Sequence, residues 1–130
     1  MAFYLDTSAA AKLVVAEPES EAMASWAATH EAGVITSDLL RTELLRATRP
    51  SAPGQMQRAR AVLDALTVVN LTAATFERAA TLDPEELRGL DALHLAAALE
   101  LGDELDGIVT YDDRMAAAAS LYGVAVIAPS

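Results

Sequence analysis

Four carboxylates stand where a carboxylate is conspicuous: Asp6, Glu43, Asp91 and Asp112. Asp6 closes the apolar run Phe3-Tyr4-Leu5, which reads as a strand buried on both faces. Glu43 falls inside the apolar arc that Leu39, Leu40, Leu44 and Ala47 trace on a helix over 38–48. Asp91 shares a stripe with Leu95 and Ala98 on a helix over 90–101 that is apolar almost all round. Asp112 follows the strand-like Ile108-Val109-Thr110, as Asp6 follows the first strand. Open α/β sheets place their ligands at the carboxyl ends of the strands.

Each acid has a plain structural reading when taken alone. Asp6 suits a turn, Glu43 a private salt bridge, and Asp91, after Gly89, a helix cap. Taken together they point to a cation. Burying a lone ionised carboxylate costs several kcal/mol, and clustered carboxylates raise one another's pKa unless a cation sits among them. Mg²⁺ and Mn²⁺ favour oxygen ligands, and Mg²⁺ keeps waters that suit phosphate substrates. A cation so held can activate water and stabilise the leaving oxygen in phosphodiester hydrolysis. No Gly-rich phosphate loop, no Ser-His-Asp set and no His cluster competes with this chemistry. His94, one turn from Asp91, reads as a packed or hydrogen-bonded neighbour and not as a base.

The elements that must position these acids alternate in type. A helix follows Asp6 with Thr7 or Ser8 as its N-cap, and Pro18 with nearby acids starts a second. Ala22, Trp26 and His30 recur on one face of that second helix, and Gly33 stops it. His30 reads as a surface residue compatible with the helix dipole. Val34-Ile35-Thr36 is a strand, with Thr36, Ser37 or Asp38 capping the helix of Glu43. Pro50-Ser51-Ala52-Pro53-Gly54 is a break, and the next helix buries Met56, Ala59, Val62, Leu63 and Leu66. Thr67 to Asn70 forms a third strand, and Thr72 caps a short helix carrying Phe76, Ala79 and Ala80. Asp83-Pro84-Glu85-Glu86 is a turn or a helix start, and Val124 to Ile127 is the last strand. Between the last two strands a helix over 115–122 begins with Asp112 or Asp113. Thr110 with Asp113 has the spacing of a capping box, which leaves Asp112 free to face the crevice. Five strands alternating with helices imply a mostly parallel sheet covered on both sides, in one domain over 1–130.

Composition narrows the function classes. The apolar fraction is 53%, and much of it is alanine, which favours closely packed helices. Cysteine is absent, which removes disulfides, thiol catalysis and thiolate metal sites. Asp6 and Lys12 interrupt any apolar leader, and the longest weakly apolar stretch, 115–128, is too short to span a membrane. A cytoplasmic protein without a membrane partner is expected. The net charge of -10 argues against broad attraction to nucleic acid. Five of the nine basic residues nevertheless crowd one window: Arg41, Arg46, Arg49, Arg58 and Arg60, with Glu43 the only acid among them. Such a strip could hold phosphates beside a metal site, or form solvated helix faces.

The chain resembles the PIN-domain ribonucleases, specifically the VapC-type toxins of bacterial toxin–antitoxin pairs. The resemblance rests on Tyr4-Leu5-Asp6-Thr7-Ser8, Leu39 to Leu44, Leu90 to Ala98 and Val109-Thr110-Tyr111-Asp112, in this order from end to end. It implies a three-layer α/β/α sandwich around a central, mostly parallel five-stranded sheet. It also implies a Mg²⁺- or Mn²⁺-dependent endoribonuclease acting on structured RNA such as tRNA or rRNA, a homodimer, and a VapB-type antitoxin as partner. By motif match, Asp6, Glu43 and Asp91 are the core metal-site acids, Asp112 is the outer one, and Thr7 and Thr110 are supporting hydroxyls. Two other classes compete. A phosphotransfer or phosphatase domain of the haloacid-dehalogenase type calls for Asp-x-Asp where this chain has Asp6-Thr7-Ser8. A catalytically silent PIN-like interaction module usually lacks one of the four acids, and this chain lacks none.

Overall fold

Period-two alternation decides how the central strand is buried. In a computed structural model, which describes residues 1–50 and 53–130, β1 (Ala2–Leu5) sends Tyr4 to one face of a sheet and Leu5 to the other. The neighbouring β4 (Leu105–Val109) divides Ile108 and Val109 in the same way. All four side chains are fully buried, so the sheet centre is dry on both sides.

The remaining elements follow the alternation. They are α1 (Thr7–Lys12), α2 (Ser20–His30), β2 (Val34–Ser37), α3 (Leu39–Thr48), α4 (Pro53–Ala65) and β3 (Thr67–Val69). After these come α5 (Ala73–Ala80), α6 (Gly89–Leu99), α7 (Asp113–Leu121) and β5 (Val126–Ile127). The sheet runs in the order β3-β2-β1-β4-β5, and every neighbouring pair is parallel. The expected "mostly parallel" sheet is thus wholly parallel. Each connection carries at least one helix across a face, so no strand pair is joined by a hairpin. Leu40 and Leu44 of α3 and Leu63 of α4 pack with Leu5 on one face. Leu95 of α6 and Met115 of α7 pack with Tyr4 on the other, which makes the three layers. At Gly107 the chain that leads into β5 comes close: a Cβ there would lie 3.0 Å from Ala125 O and would displace the Ile127 side chain.

Several local expectations are corrected. The buried residue of α2 is Met23; Ala22, Trp26 and His30 are half-buried. His30 is no free surface residue, because its ring stacks on Trp26 at 4.3 Å and meets the edge of Phe3. Phe76 is 53% exposed, so Ala79 and Thr75 supply the inner face of α5. The Asp83-Pro84-Glu85-Glu86 segment is a turn, with α6 starting at Gly89. The break around Pro50 falls partly outside the described residues, and α4 begins at Pro53. Among the described residues no helix is long and apolar enough to cross a membrane.

Candidate active site

The strand order reverses direction at β1, whose two neighbours, β2 and β4, come from opposite halves of the chain. That is the switch point where helices diverge to opposite faces and a crevice opens. Asp6 stands at this point, between the end of β1 and the start of α1. Its N–H donates to Val109 O at 3.2 Å, which continues the pairing of Leu5 with Val109 and fixes the acid between the two strand ends.

Asp6, and neither Thr7 nor Ser8, caps α1: its Oδ1 accepts from Ala9 N at 3.1 Å. The two hydroxyls are engaged elsewhere. Ser8 Oγ donates to Asp6 Oδ1 at 2.7 Å, and Thr110 Oγ1 donates to Asp6 Oδ2 at 2.5 Å. Thr7 Oγ1 donates to Glu43 Oε1 at 2.9 Å, so α1 carries a link to α3. Asp6 is only 4% exposed. Burial pushes its carboxyl above the ordinary range, and the bonds from Thr110, Ser8 and Ala9, with His94, only partly oppose this.

Glu43 reaches the crevice from α3 and keeps a fifth of its side-chain surface exposed. Its Oε1 lies 2.5 Å from His94 Nε2. Burial raises its carboxyl, but the His94 hydrogen bond and charge and the Thr7 hydroxyl outweigh it, leaving the group below the ordinary range. Asp91 enters from the first turn of α6 and is not that helix's cap, a place taken by Arg88. Burial and the charges of Asp112, Asp6 and Glu43 raise its carboxyl, against the opposing influence of His94. The charges of Asp6, Glu43 and Asp112 all bear on Asp91, which brings together acids from four separate segments.

Asp112 corrects the capping-box expectation. Its Oδ1 accepts from Arg114 N at 2.8 Å and Met115 N at 3.4 Å, so Asp112 caps α7 and Asp113 is an exposed first-turn residue. Thr110 is committed to Asp6 and to Asp112 N, at 3.1 Å, and has no part in a box with Asp113. Among the described residues no hydrogen bond is made to Asp112 Oδ2.

Ser8 and Tyr4 were not singled out in the sequence as partners, and His94, read there as a packed or hydrogen-bonded neighbour, is both. Ser8 Oγ accepts from Tyr111 N at 2.9 Å as well as serving Asp6. His94 is 2% exposed, and Tyr4, fully buried, touches its Nδ1 through the phenol oxygen. A tyrosine in an otherwise apolar two-face strand was the one available signal, since a buried hydroxyl needs a partner. The five arginines are all exposed, on α3, on its C-terminal end and on α4, and Arg58 Nε donates to Leu13 O at 3.1 Å.

Among the described residues, no three His, Asp or Glu side chains are grouped closely enough to hold a metal ion as they stand. Asp6, Glu43 and Asp112 instead lean on protein donors. The donor set nevertheless fits a hard divalent cation: it is all oxygen, and no lysine or arginine among the described residues pairs with any of the four acids.

Residues 3–121 match the family model of the PIN domain. The chain is 41% identical to ribonuclease VapC47 of Mycobacterium tuberculosis, over 97% of this chain and 96% of the relative. It is 43% identical to ribonuclease VapC46 of the same species, over 99% and 98%. Among solved structures, M. tuberculosis VapC20, described as a sarcin-ricin loop cleaving toxin, superposes with a TM-score of 0.73 at 20% identity, over 90% of this chain and 95% of that one. VapBC2 of Rickettsia felis, bound to a DNA fragment from its promoter, gives 0.73 at 13% identity over the whole of both chains. At such identities these two structures speak for the fold alone.

Proposed function

The chain belongs to the PIN-domain family as a VapC-type ribonuclease, and on that premise we propose that Asp6, Glu43, Asp91 and Asp112 hold Mg²⁺ or Mn²⁺ for RNA phosphodiester hydrolysis. The nearness of four acids at the switch point, without a lysine or arginine partner among the described residues, carries this reading. When bound, a divalent cation supplies Lewis-acid polarisation and a more acidic water.

The chain's own residues do the rest. Thr110, Ser8 and Ala9 N fix both oxygens of Asp6 before any ligand arrives. Such preorganisation avoids a reorganisation cost during the reaction. Thr7 holds Glu43 on the α1 side of the crevice. Asp112, half-buried at the rim, serves as the outer acid. Arg41, Arg46, Arg49, Arg58 and Arg60 give an otherwise acidic molecule a local place for phosphates, and structured RNA such as tRNA or rRNA is the substrate class. A homodimer acting in the cytoplasm and held in check by a VapB-type antitoxin completes the proposal.

The deciding experiment follows cleavage of a labelled RNA by wild type and Asp6→Asn in chelator, Mg²⁺ and Mn²⁺. Wild type cleaves only with metal, and with metal the variant is slower by about 10²–10³-fold. Mn²⁺ also raises the wild-type melting temperature, because a ligand at a hundred times its Kd stabilises the native state by about 2.7 kcal/mol. A wild type that cleaves in none of the three would return the chain to the silent interaction modules, and cleavage by Asp6→Asn at the wild-type rate would remove Asp6 from the metal site. For the arginine strip, replacing Arg46, Arg49, Arg58 and Arg60 together flattens the salt dependence of RNA binding by roughly one unit of slope per lost phosphate contact. An unchanged slope would make these residues solvated helix faces.

A further inference from the structure

A chain of hydrogen-bonding groups runs from the sheet interior to the candidate metal site, and its middle member has no assigned task. The Tyr4 hydroxyl pairs with Ser37 Oγ at 2.9 Å and with His94 Nδ1 at 2.7 Å. The opposite ring nitrogen, Nε2, reaches Glu43 Oε1 at 2.5 Å, and Thr7 Oγ1 lies 3.3 Å from it. An ionised carboxylate has no proton to give, so the proton between Glu43 and the ring belongs to Nε2. Both nitrogens are thereby engaged, and the ring cannot turn without breaking contacts at each end. Tyr4 and Ser37 are fully buried, on β1 and β2, so the anchor of this chain is the sheet itself.

We infer that His94 is a positioning residue for Glu43: anchored by Tyr4 and Ser37, it holds Oε1 and so presents Oε2 to the metal. Glu43 needs such support more than its fellows. Asp6 and Asp112 are fixed by backbone N–H groups at their own helix starts, whereas Glu43 sits inside a helix, on a longer side chain with more rotatable bonds. Its restraints come from other elements: Thr7 on α1 and His94 on α6. Supporting hydrogen bonds to metal-ligating carboxylates commonly matter about tenfold or more in metal affinity. This inference rests on the metal-site reading above.

The test is Mn²⁺ titration by calorimetry, without RNA, on wild type, His94→Leu, His94→Gln and Tyr4→Phe, each first checked for folding by circular dichroism. Gln keeps an N–H where Nε2 stands, and Leu keeps bulk alone. His94→Leu weakens Mn²⁺ binding roughly tenfold, His94→Gln recovers most of the loss, and Tyr4→Phe weakens it about threefold. In cleavage assays the His94→Leu loss shows in the Mn²⁺ dependence of kcat, with KM for RNA unchanged. Wild-type Mn²⁺ affinity in His94→Leu, or equal losses in the Leu and Gln variants, overturns the inference and makes His94 a packing residue. Should His94→Leu not fold, Tyr4→Phe decides: an affinity equal to wild type overturns it. If wild type binds no Mn²⁺, the metal-site reading fails and takes this inference with it.

Discussion

Two strand–helix junctions face each other across the switch point, and they share a local design. β1 ends in Asp6, which caps α1; β4 runs out through Thr110 to Asp112, which caps α7. Their surroundings differ. Asp6 is buried, with Ser8, Ala9 and Thr110 donating to it, and burial still drives its carboxyl upward. Asp112 is half-buried and commits Oδ1 to backbone N–H groups. The same capping acid is an ordinary helix start at one junction and a desolvated charge at the other. Burial by neighbouring strands makes the difference, because desolvation acts on the charged form alone. Thr110 and Ser8 stitch the junctions together: Thr110 donates to Asp6 and accepts from Asp112 N, while Ser8 donates to Asp6 and accepts from Tyr111 N.

The largest effect expected from breaking this pair is catalytic. Asn caps a helix about as well as Asp, so Asp6→Asn and Asp112→Asn both leave their helices in place. Loss of charge at the buried junction lowers kcat for RNA cleavage by about 10²–10³-fold. Loss at the rim lowers it by about tenfold. Single-turnover assays on one RNA would measure both, and equal losses would erase the distinction between the junctions.

Cutting the stitch comes next. Thr110→Val keeps the shape and removes a donor and an acceptor at a site 1% exposed, which costs about 1–3 kcal/mol in denaturant unfolding. It also removes the foremost of the hydrogen bonds holding the Asp6 carboxyl down. The pH dependence follows from the sign of the shifts. Asp6 and Asp91 are raised in the folded state, so their contribution to stability is complete below the unfolded carboxylate range. It is lost as pH rises through their folded values. The metal-free protein therefore gains stability as pH falls from neutral towards the ordinary carboxylate range. Glu43, lowered by His94 and Thr7, acts with the opposite sign and only at lower pH: its contribution is lost as pH falls through its depressed folded value. Thr110→Val extends the Asp6 window upward in pH, and Asp6→Asn removes it, leaving that of Asp91. Denaturant midpoints in chelator at a series of pH values test this, and a flat wild-type profile contradicts it.

The smallest effects sharpen the rim junction. Asp112→Ala removes the α7 cap and costs about 1 kcal/mol, whereas Asp112→Asn leaves stability nearly unchanged. Asp113→Asn changes it by less than about 0.5 kcal/mol, as exposed positions do. A greater cost at Asp113 than for Asp112→Ala would restore the Thr110–Asp113 capping box.

Much of this architecture was legible in the residues themselves. The two-face apolar run at Phe3-Tyr4-Leu5, the alternation of strands with helices and the carboxylates on apolar arcs all follow from local periodicity, which any window of sequence displays. The motif order brought the family with it. What the sequence left open was the division of labour among adjacent polar residues. Asp6, Thr7 and Ser8 are all competent caps, as are Asp112 and Asp113 for the last helix. The choice was made by distant partners: Glu43, 36 positions away, takes Thr7, and Tyr111, 103 positions away, takes Ser8. His94 likewise reads as an ordinary neighbour until β1 and β2 bring Tyr4 and Ser37 to one of its nitrogens and α3 brings Glu43 to the other. Propensity sets what each side chain is able to do, and the register of β1 against β4 sets which of those bonds it makes, because a hydrogen bond depends on where its partner stands in space and not on its place in the chain.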